Sequence, residues 1–135
     1  MEREWEQAKW APIQGVRVGH YASINSKGVI VINRFTFEAL RSPEAAFIYF
    51  DRANSSLGIE HAHPRSDDSY PIKPNGKDGA KQIRAGHAAN QFNIHMTGTM
   101  RFQNPHIDDR GILVLDLRNV VPVTNGRKGE KVNRK

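Results

Sequence analysis

The apolar residues of this chain fall into short runs separated by turn-forming residues, a pattern that predicts strands and short helices. Val16, Val18 and Ile24 recur at even positions, which is the period of two that a strand shows. Residues 25–28, Asn-Ser-Lys-Gly, predict a turn because Asn and Gly both tolerate positive φ. The run Val29–Ile32 is wholly apolar and β-branched, so we expect a strand that is buried on both faces or in an interface.

A short helix is predicted after this strand. Asn33 is suited to cap it, because an Asn side chain accepts a hydrogen bond from a free backbone N–H at the start of a helix. Phe37 and Leu40 share one helical face, and Pro43 ends the helix, since the residue before a proline avoids the helical conformation. The strands predicted next are 45–50 and 57–60, with a polar turn between them.

The stretch 61–79, HAHPRSDDSYPIKPNGKDG, is rich in Pro, Gly, Asp and Ser and predicts a linker, in which Tyr70 and Ile72 anchor a short extended piece. The order of elements predicted for the first half (strand, short helix, strand, polar turn, strand) is then partly repeated. Gly79 opens AKQIRAGHAANQF, which predicts a helix with one apolar face. TGTMRFQ predicts a strand, NPHIDDRG a turn and ILVLDL a further strand.

These elements predict a β-rich α+β protein with two related β-α-β-β halves that form a pseudo-symmetric barrel. The alternative is that the shared order arises by chance, because many small α+β domains alternate in this way. The predicted organisation is an N-terminal lead-in at 1–15, a first half at 16–62, a linker at 63–78, a second half at 79–123 and a basic tail at 124–135.

Composition narrows the class of protein. With 135 residues, 38% of them hydrophobic, the chain is the size of one domain or of two small halves that share a core. It has no cysteine, which excludes a disulfide framework and cysteine-ligated zinc and fits a reducing compartment. No run approaches the roughly 18–20 apolar residues of a membrane span. The first ten residues, MEREWEQAKW, lack the apolar core of a secretory signal, so we expect a cytoplasmic protein.

The net charge of +6 favours polyanionic partners, because cationic side chains neutralise phosphates and release their counterions. Part of this excess lies in the tail after Val123, and without the charged residues of that tail the excess falls to +2. The tail has two interpretations that the sequence leaves open, a solubilising segment and a nucleic-acid-binding arm.

The stretch SINSKGVIVINRFTFEALRSPEAAFIYFDRANSSLGIEHA, within 22–62, resembles the swapped-hairpin module of AbrB/MazE-type transition-state regulators and antitoxin DNA-binding domains. In that family a polar Lys-Gly turn precedes an apolar strand, and a short capped helix and a hairpin with an acidic tip follow. The second half resembles a weaker copy, as in the duplicated MraZ-type regulators. The resemblance implies an interdigitated β-barrel of two halves with basic residues near the first strand and helix touching DNA.

Carried over residue by residue, the resemblance matches Lys27 to the family's turn lysine and Arg34 to the basic position at the helix start. The chain departs from the family in three places. Asn33 stands where proline is usual, Phe37 stands where arginine is usual, and Arg41 replaces the glycine of the Leu-Gly helix end. The departures keep the architecture and remove a phosphate-contacting group.

Six histidines suggest a metal site as a further interpretation. His61 and His63 are two residues apart, which on a strand places both on one side, and Asp67 and Asp68 follow nearby. None of the histidines shows a recognised ligand spacing, so we expect surface or structural roles for them and assign no metal. The Gly-Lys stretches NGKDGAK and TNGRKGEK do not match a phosphate-binding loop, and no nucleophile motif is present.

Several aromatic residues lie close to arginines around the first helix and the strand after it, which would suit stacking on single-stranded nucleic acid. For most of them core packing is the stronger expectation. Phe35 and Tyr49 are expected to be the least buried, because each lies opposite the apolar face of its element.

The sequence therefore predicts a non-enzymatic, DNA-binding regulatory protein of AbrB-like type that forms a homodimer and needs no cofactor, membrane or small-molecule substrate. The alternative is a protein–protein interaction or assembly module that keeps the scaffold without binding DNA. The residues predicted to position phosphates are Lys27, Arg34, Arg41, Lys81 and Arg84.

Overall fold

The computed structural model describes residues 19–123, which form ten strands and two short helices. The predictions for 1–15, for the strand start at 16–18 and for the basic tail at 124–135 lie outside these residues. The elements in chain order are β1 Ala22–Ile24, β2 Val29–Ile32, α1 Arg34–Ala39, β3 Ala45–Asp51, β4 Ser56–Ala62, β5 Tyr70–Pro74, β6 Lys81–Arg84, α2 Gly86–Gln91, β7 Met100–Phe102, β8 His106–Ile107, β9 Leu113–Asp116 and β10 Val120–Pro122.

All ten strands belong to one antiparallel sheet with the order β10-β7-β1-β2-β6-β5-β3-β4-β9-β8. Beyond β2 the order continues with β1, β7 and β10, and beyond β6 it continues with β5, β3, β4, β9 and β8. The protein is therefore β-rich, and its two helices contain only six residues each.

The sheet curls, because short connections join strands at its opposite ends. Residues 103–105 connect β7, near one end, to β8, at the other end. The step from Phe102 to His106 can span at most about 14 Å. The connection 117–119 returns the chain from β9 to β10. Both ends of the sheet must therefore lie close to each other around the core.

The inward face of the curled sheet forms the hydrophobic core. Alternate residues of each strand point to the same face, so the inward positions on a strand are two apart. Ile30 and Ile32 of β2 and Ile83 of β6 are fully buried, as are Leu113 and Leu115 of β9. The helices add buried residues to this core, among them Thr36 of α1 and Ala88 and Ala89 of α2.

The predicted turn and cap at the start of the chain are confirmed. The Asn25 Oδ1 accepts hydrogen bonds from the backbone N–H groups of Lys27 and Val29, both at 2.9 Å, and Gly28 has a φ of 80°. The Asn33 Oδ1 accepts from the Thr36 N–H at 2.9 Å and so caps α1. Polar side chains at fixed offsets thus set both boundaries of β2.

Two local predictions are wrong, and so is one of two alternatives for β2. Val29 and Val31 are only half-buried, so β2 is not buried on both faces within this chain, whereas burial in an interface stays a prediction. The helix predicted from residue 80 begins at Gly86, and the residues before it form β6, because Ile83 pairs with Ile30 in the core. The polar turn predicted at 104–111 contains the short strand β8.

The segment 63–78, predicted as a linker, contains β5, with Tyr70 and Ile72 both packed against the core as expected. This strand pairs with β6 along Ile72–Pro74 and with β3 through Pro71 and Tyr70. The segment therefore links β3 to β6 through backbone hydrogen bonds.

The strand β10 was not predicted.

Candidate nucleic-acid interface

The outward face of the central strands carries basic residues beside half-buried valines. Because Ile30, Ile32 and Ile83 point inward, the residues between them point outward. Val29 is paired across the strands with Arg84, and Val31 with Gln82. Arg84 is exposed to solvent at the end of β6.

The row that contains Val31 and Gln82 continues onto the neighbouring strands. On one side it passes through Ser23 of β1 to Arg101 of β7, and on the other side it reaches Lys73 of β5. Four strand spacings separate Arg101 from Lys73, which is roughly 19 Å along the sheet. We call Lys73, Arg84 and Arg101 together the basic face.

No acidic residue lies on the strands that carry the basic face, and the nearest groove, which Val31 lines, includes Asp78 from a loop. The outward residues of β10, β7, β1, β2, β6 and β5 include no Asp or Glu. Within residues 19–123 the ion pairs are Arg34–Glu38 and Arg118–Asp116, so no carboxylate in that part of the chain pairs with this face. Its positive charge is therefore available to an anionic partner.

The structure brings the predicted residue Lys27 to the Arg84 end of the β2–β6 pair. The Ala85 N–H donates to the Gly28 C=O at 3.0 Å, which continues the pairing beyond Val29 and Arg84. A Cβ built on Gly86 would lie 2.8 Å from the Lys27 carbonyl oxygen. Lys27 is exposed in this turn and extends the basic face at one end.

Arg34 and Lys81 lie together at the opposite end of the β2–β6 pair, where Lys81 pairs with Ile32. The Arg34 Nε donates to the Glu38 carboxylate at 2.9 Å, and the Lys81 ammonium lies 4.8 Å from the centre of the Phe37 ring. Both cations are thus already engaged. An exposed pair such as Arg34–Glu38 stabilises a protein by at most about 1 kcal/mol, so it opens readily.

Arg41 is not placed with the other predicted residues. It follows α1 with a φ of 71° and is exposed. The preceding Leu40 carbonyl oxygen is hydrogen-bonded to the His61 Nδ1 at 3.1 Å, which places this end of α1 beside β4. In the strand order β4 lies beyond β5 and β3, outside the strands that carry the basic face.

Phe35 and Tyr49 are the most exposed aromatic side chains in the described part of the chain, at 47% and 46%, as predicted. The Phe35 ring lies 5.0 Å from that of His20, beside a groove of about 470 Å³ that is also lined by Arg34 and Asp78. Tyr49 is on the outward face of β3 and donates its hydroxyl to the Glu60 carboxylate at 2.7 Å. The two rings therefore line different grooves.

The histidines form no metal site within residues 19–123, where no three His, Asp or Glu side chains come together. The His61 Nδ1 contacts the Leu40 carbonyl oxygen, and the His63 Nδ1 accepts from the Arg65 N–H at 3.1 Å. His63 lies beyond the end of β4, so the alternation of a strand does not align it with His61. These local roles account for both side chains.

The sequence reasoning missed Lys73 and Arg101. Lys73 lies in the segment that the sequence predicts to be a linker, a prediction that assigns no face to its side chain. Arg101 stands between Met100 and Phe102, both of which pack inward, so the strict alternation of β7 was the signal that could have placed it outward.

Comparison of the chain with models of known protein families, with curated protein sequences and with solved structures gave no match. In the described part of the chain, no helix is long and apolar enough to cross a membrane.

Proposed function

We propose that this chain is a DNA-binding regulatory protein of AbrB-like type without enzymatic activity, and that its basic face binds the phosphates of duplex DNA. The observation that carries the proposal is the group of outward cations, Lys73, Arg84 and Arg101, on strands that hold no acidic residue. Cationic side chains bind DNA by neutralising phosphates, a contribution that does not require base contacts.

The dimensions of the basic face suit a duplex. Arg101 and Lys73 are separated by roughly 19 Å across the strands, whereas the major groove is about 12 Å wide. Flexible side chains at both ends of such a span can reach phosphates on either side of a groove. Arg84 and Lys27 lie along the strand direction from this row and extend the same face.

The arrangement of the two turn glycines supports the AbrB-like part of the proposal. Gly28 precedes β2 and lies against the start of α2, where a Cβ built on it would be 2.7 Å from the Gly86 Cα. Gly79 precedes β6 and lies against the start of α1, where its Cβ would be 2.8 Å from the Arg34 Cδ. Each half thus packs its turn on the helix of the other half. Such reciprocal packing is what two related halves with exchanged hairpins would have.

The proposal is tested by fluorescence anisotropy with a labelled random-sequence 30-base-pair duplex, titrated with the full chain at low salt. The variant Lys73→Gln/Arg84→Gln/Arg101→Gln should bind at least tenfold more weakly. The matched control, Arg65→Gln/Lys77→Gln/Arg110→Gln, removes three exposed charges elsewhere and should bind almost as tightly as the natural chain.

Absence of binding at about 50 mM salt, where counterion release favours complex formation most, would exclude the proposal. Equal weakening by both triple variants would show that only net charge matters. If deletion of 124–135 abolishes binding while the first triple variant does not, the binding element is the tail and not the basic face.

The alternative function, a protein–protein interaction module, is favoured by a separate observation. The strand β3 leaves part of its edge unpaired beside a groove whose lining includes no residue of the basic face.

A further inference from the structure

The strand β3 has an open edge in the middle of the sheet. It pairs with β4 along all seven of its residues but with β5 only at Ala45 and Ala46. Within residues 19–123, no backbone hydrogen bond reaches 47–51 from the β5 side. Alternate residues of an antiparallel strand direct both N–H and C=O to the same side, so at least two residues of 47–51 present these groups to the open edge.

A groove of about 680 Å³ runs beside this edge, between β3, the loop at 67–70 and α2. It has the size of a typical ligand site. Its walls include four aromatic rings, which belong to Phe47, Tyr49, Tyr70 and Phe92. An open strand edge and aromatic walls are thus found in the same depression.

Two of these aromatic walls are held in place by other contacts. The Phe92 ring stacks on Phe50 with 5.1 Å between ring centres, and Arg52 covers the same Phe50 ring at 5.3 Å. The Tyr49 hydroxyl donates to the Glu60 carboxylate at 2.7 Å. This hydrogen bond raises the pKa of Tyr49. A groove whose walls are already ordered loses less side-chain freedom when a partner binds.

The charge of the groove is opposite to that of the chain as a whole. Asp67 and Asp68 line it and are exposed, and no Lys or Arg lines it. The whole chain by contrast has a net charge of +6. Carboxylates next to aromatic faces suit a cationic side chain, which gains from an ion pair and from the ring quadrupole. The same carboxylates repel the phosphates of a nucleic acid.

We propose that this groove binds an extended, arginine- or lysine-bearing peptide segment of a partner protein, which adds to the open edge of β3 at residues 47–49. Backbone hydrogen bonds to β3 supply affinity that is independent of sequence, as in other cases of strand addition. Specificity comes from a cationic side chain between the aromatic walls and the carboxylates of Asp67 and Asp68. This surface is distinct from the basic face, and the proposal does not depend on DNA binding.

The experiment uses the ¹⁵N-labelled full chain and three capped synthetic peptides. The first has the sequence Gly-Thr-Arg-Thr-Arg-Thr-Gly. The second has citrulline, which is neutral and nearly isosteric, in place of both arginines. The third keeps the arginines but has N-methylated backbone amides at alternate positions, which prevents strand pairing.

We expect the arginine peptide to shift amide resonances at 47–51, 67–70 and 87–92 and to slow hydrogen exchange at the open edge of β3. The citrulline peptide should bind at least tenfold more weakly, and the N-methylated peptide should not slow exchange. The variant Asp67→Asn/Asp68→Asn should lower the affinity for the arginine peptide at least tenfold. The control Asp78→Asn/Asp109→Asn removes two exposed carboxylates that do not line the groove and should leave the affinity unchanged.

Four results would overturn the proposal. The first is the absence of shifts at 1 mM arginine peptide, and the second is equal binding of the arginine and citrulline peptides. The third is a random DNA duplex that produces the same shifts at the groove, which would make it a nucleic-acid site. The fourth is a concentration-dependent dimer of the free chain that Asp67→Asn/Asp68→Asn dissociates, which would identify a second copy as the occupant. The peptide comparisons remain decisive if the double variant does not fold.

Discussion

Gly28 and Gly86 are in backbone contact, and a Cβ on Gly28 would lie 2.7 Å from the Gly86 Cα. Gly28 also has a φ of 80°, a backbone conformation that residues other than glycine rarely adopt. Gly28→Ala therefore combines a strained backbone with a clash between the new Cβ and the backbone atoms of Ala85 and Gly86. We expect the free energy of unfolding to fall by at least about 2 kcal/mol, as measured by urea denaturation.

Gly111→Ala is the matched control for this substitution. Gly111 has a similar φ of 84°, but no atom lies within 4 Å of the position its Cβ would take. Its substitution should cost only about 1 kcal/mol, which is the contribution of backbone strain alone. Equal losses for the two variants would show that the contact between Gly28 and Gly86 has no energetic consequence.

Asn33 stabilises the start of α1 through its side chain. Its Oδ1 accepts from the Thr36 N–H at 2.9 Å, and its Nδ2 donates to the Gly19 carbonyl oxygen at 3.1 Å. Asn33→Ala removes the cap and should lower the free energy of unfolding by about 1 kcal/mol. Asn33→Asp keeps the acceptor, so most of that stability should remain in a thermal melt. A larger loss for Asp than for Ala would mean that the hydrogen bond to Gly19 outweighs the cap.

His20 should make the stability of the protein dependent on pH. Burial lowers the pKa of the imidazole below its ordinary value of 6.5, and the positive charge of His106 lowers it further. The unfolded chain therefore takes up the proton more readily than the folded one. The free energy of unfolding should decline as the pH falls through about 6.5 and level off below the pKa of the folded state.

The contribution of His20 is isolated by denaturation midpoints at a series of pH values between 8 and 5. His20→Asn keeps a hydrogen-bond donor near Thr36, whose hydroxyl lies 3.1 Å from the His20 Nδ1. This variant should show a flatter dependence on pH in this range. His63→Asn, at an exposed position, is the comparison variant, and the two pH profiles are measured side by side.

If the basic face binds phosphates, its residues also set the salt dependence of DNA binding. Each phosphate contact contributes about −0.9 to the slope of log K against log salt concentration. Arg84→Gln/Arg101→Gln should therefore make the slope less negative by up to about 1.8. Arg65→Gln/Arg110→Gln should leave the slope unchanged. Anisotropy titrations between 50 and 200 mM salt measure both slopes.

Local sequence signals predicted the first half of the described chain well. The turn at 25–28, the cap at Asn33 and the strands on either side of α1 follow from the chemistry of single residues and from short-range periodicity. The exposure of Phe35 and Tyr49 followed from the same periodicity. These features depend on neighbours within a few positions, so they can be recognised without knowledge of the fold.

Features set by distant pairing could not be predicted in this way. Lys81–Arg84 contains a single apolar residue, Ile83, and lies next to a helix. Its strand conformation comes from pairing with β2, which lies about fifty residues earlier in the chain. Lys73 sits among prolines and glycines, and only the ladder between β5 and β6 makes it part of the basic face. The open edge of β3 depends on where β5 leaves the sheet, and no local pattern encodes that point.

The hairpin of β8 and β9 belongs by sequence between β7 and β10, yet it pairs with β4 at the far end of the sheet. The two connections that lead into and out of the hairpin, 103–105 and 117–119, lie side by side, since the Gln103 N–H donates to the Asn119 carbonyl oxygen at 2.9 Å. The hairpin therefore connects the two ends of the sheet covalently. Because the strand pairing is continuous from β10 to β8, the basic face and the groove beside β3 should be lost together in a single cooperative transition.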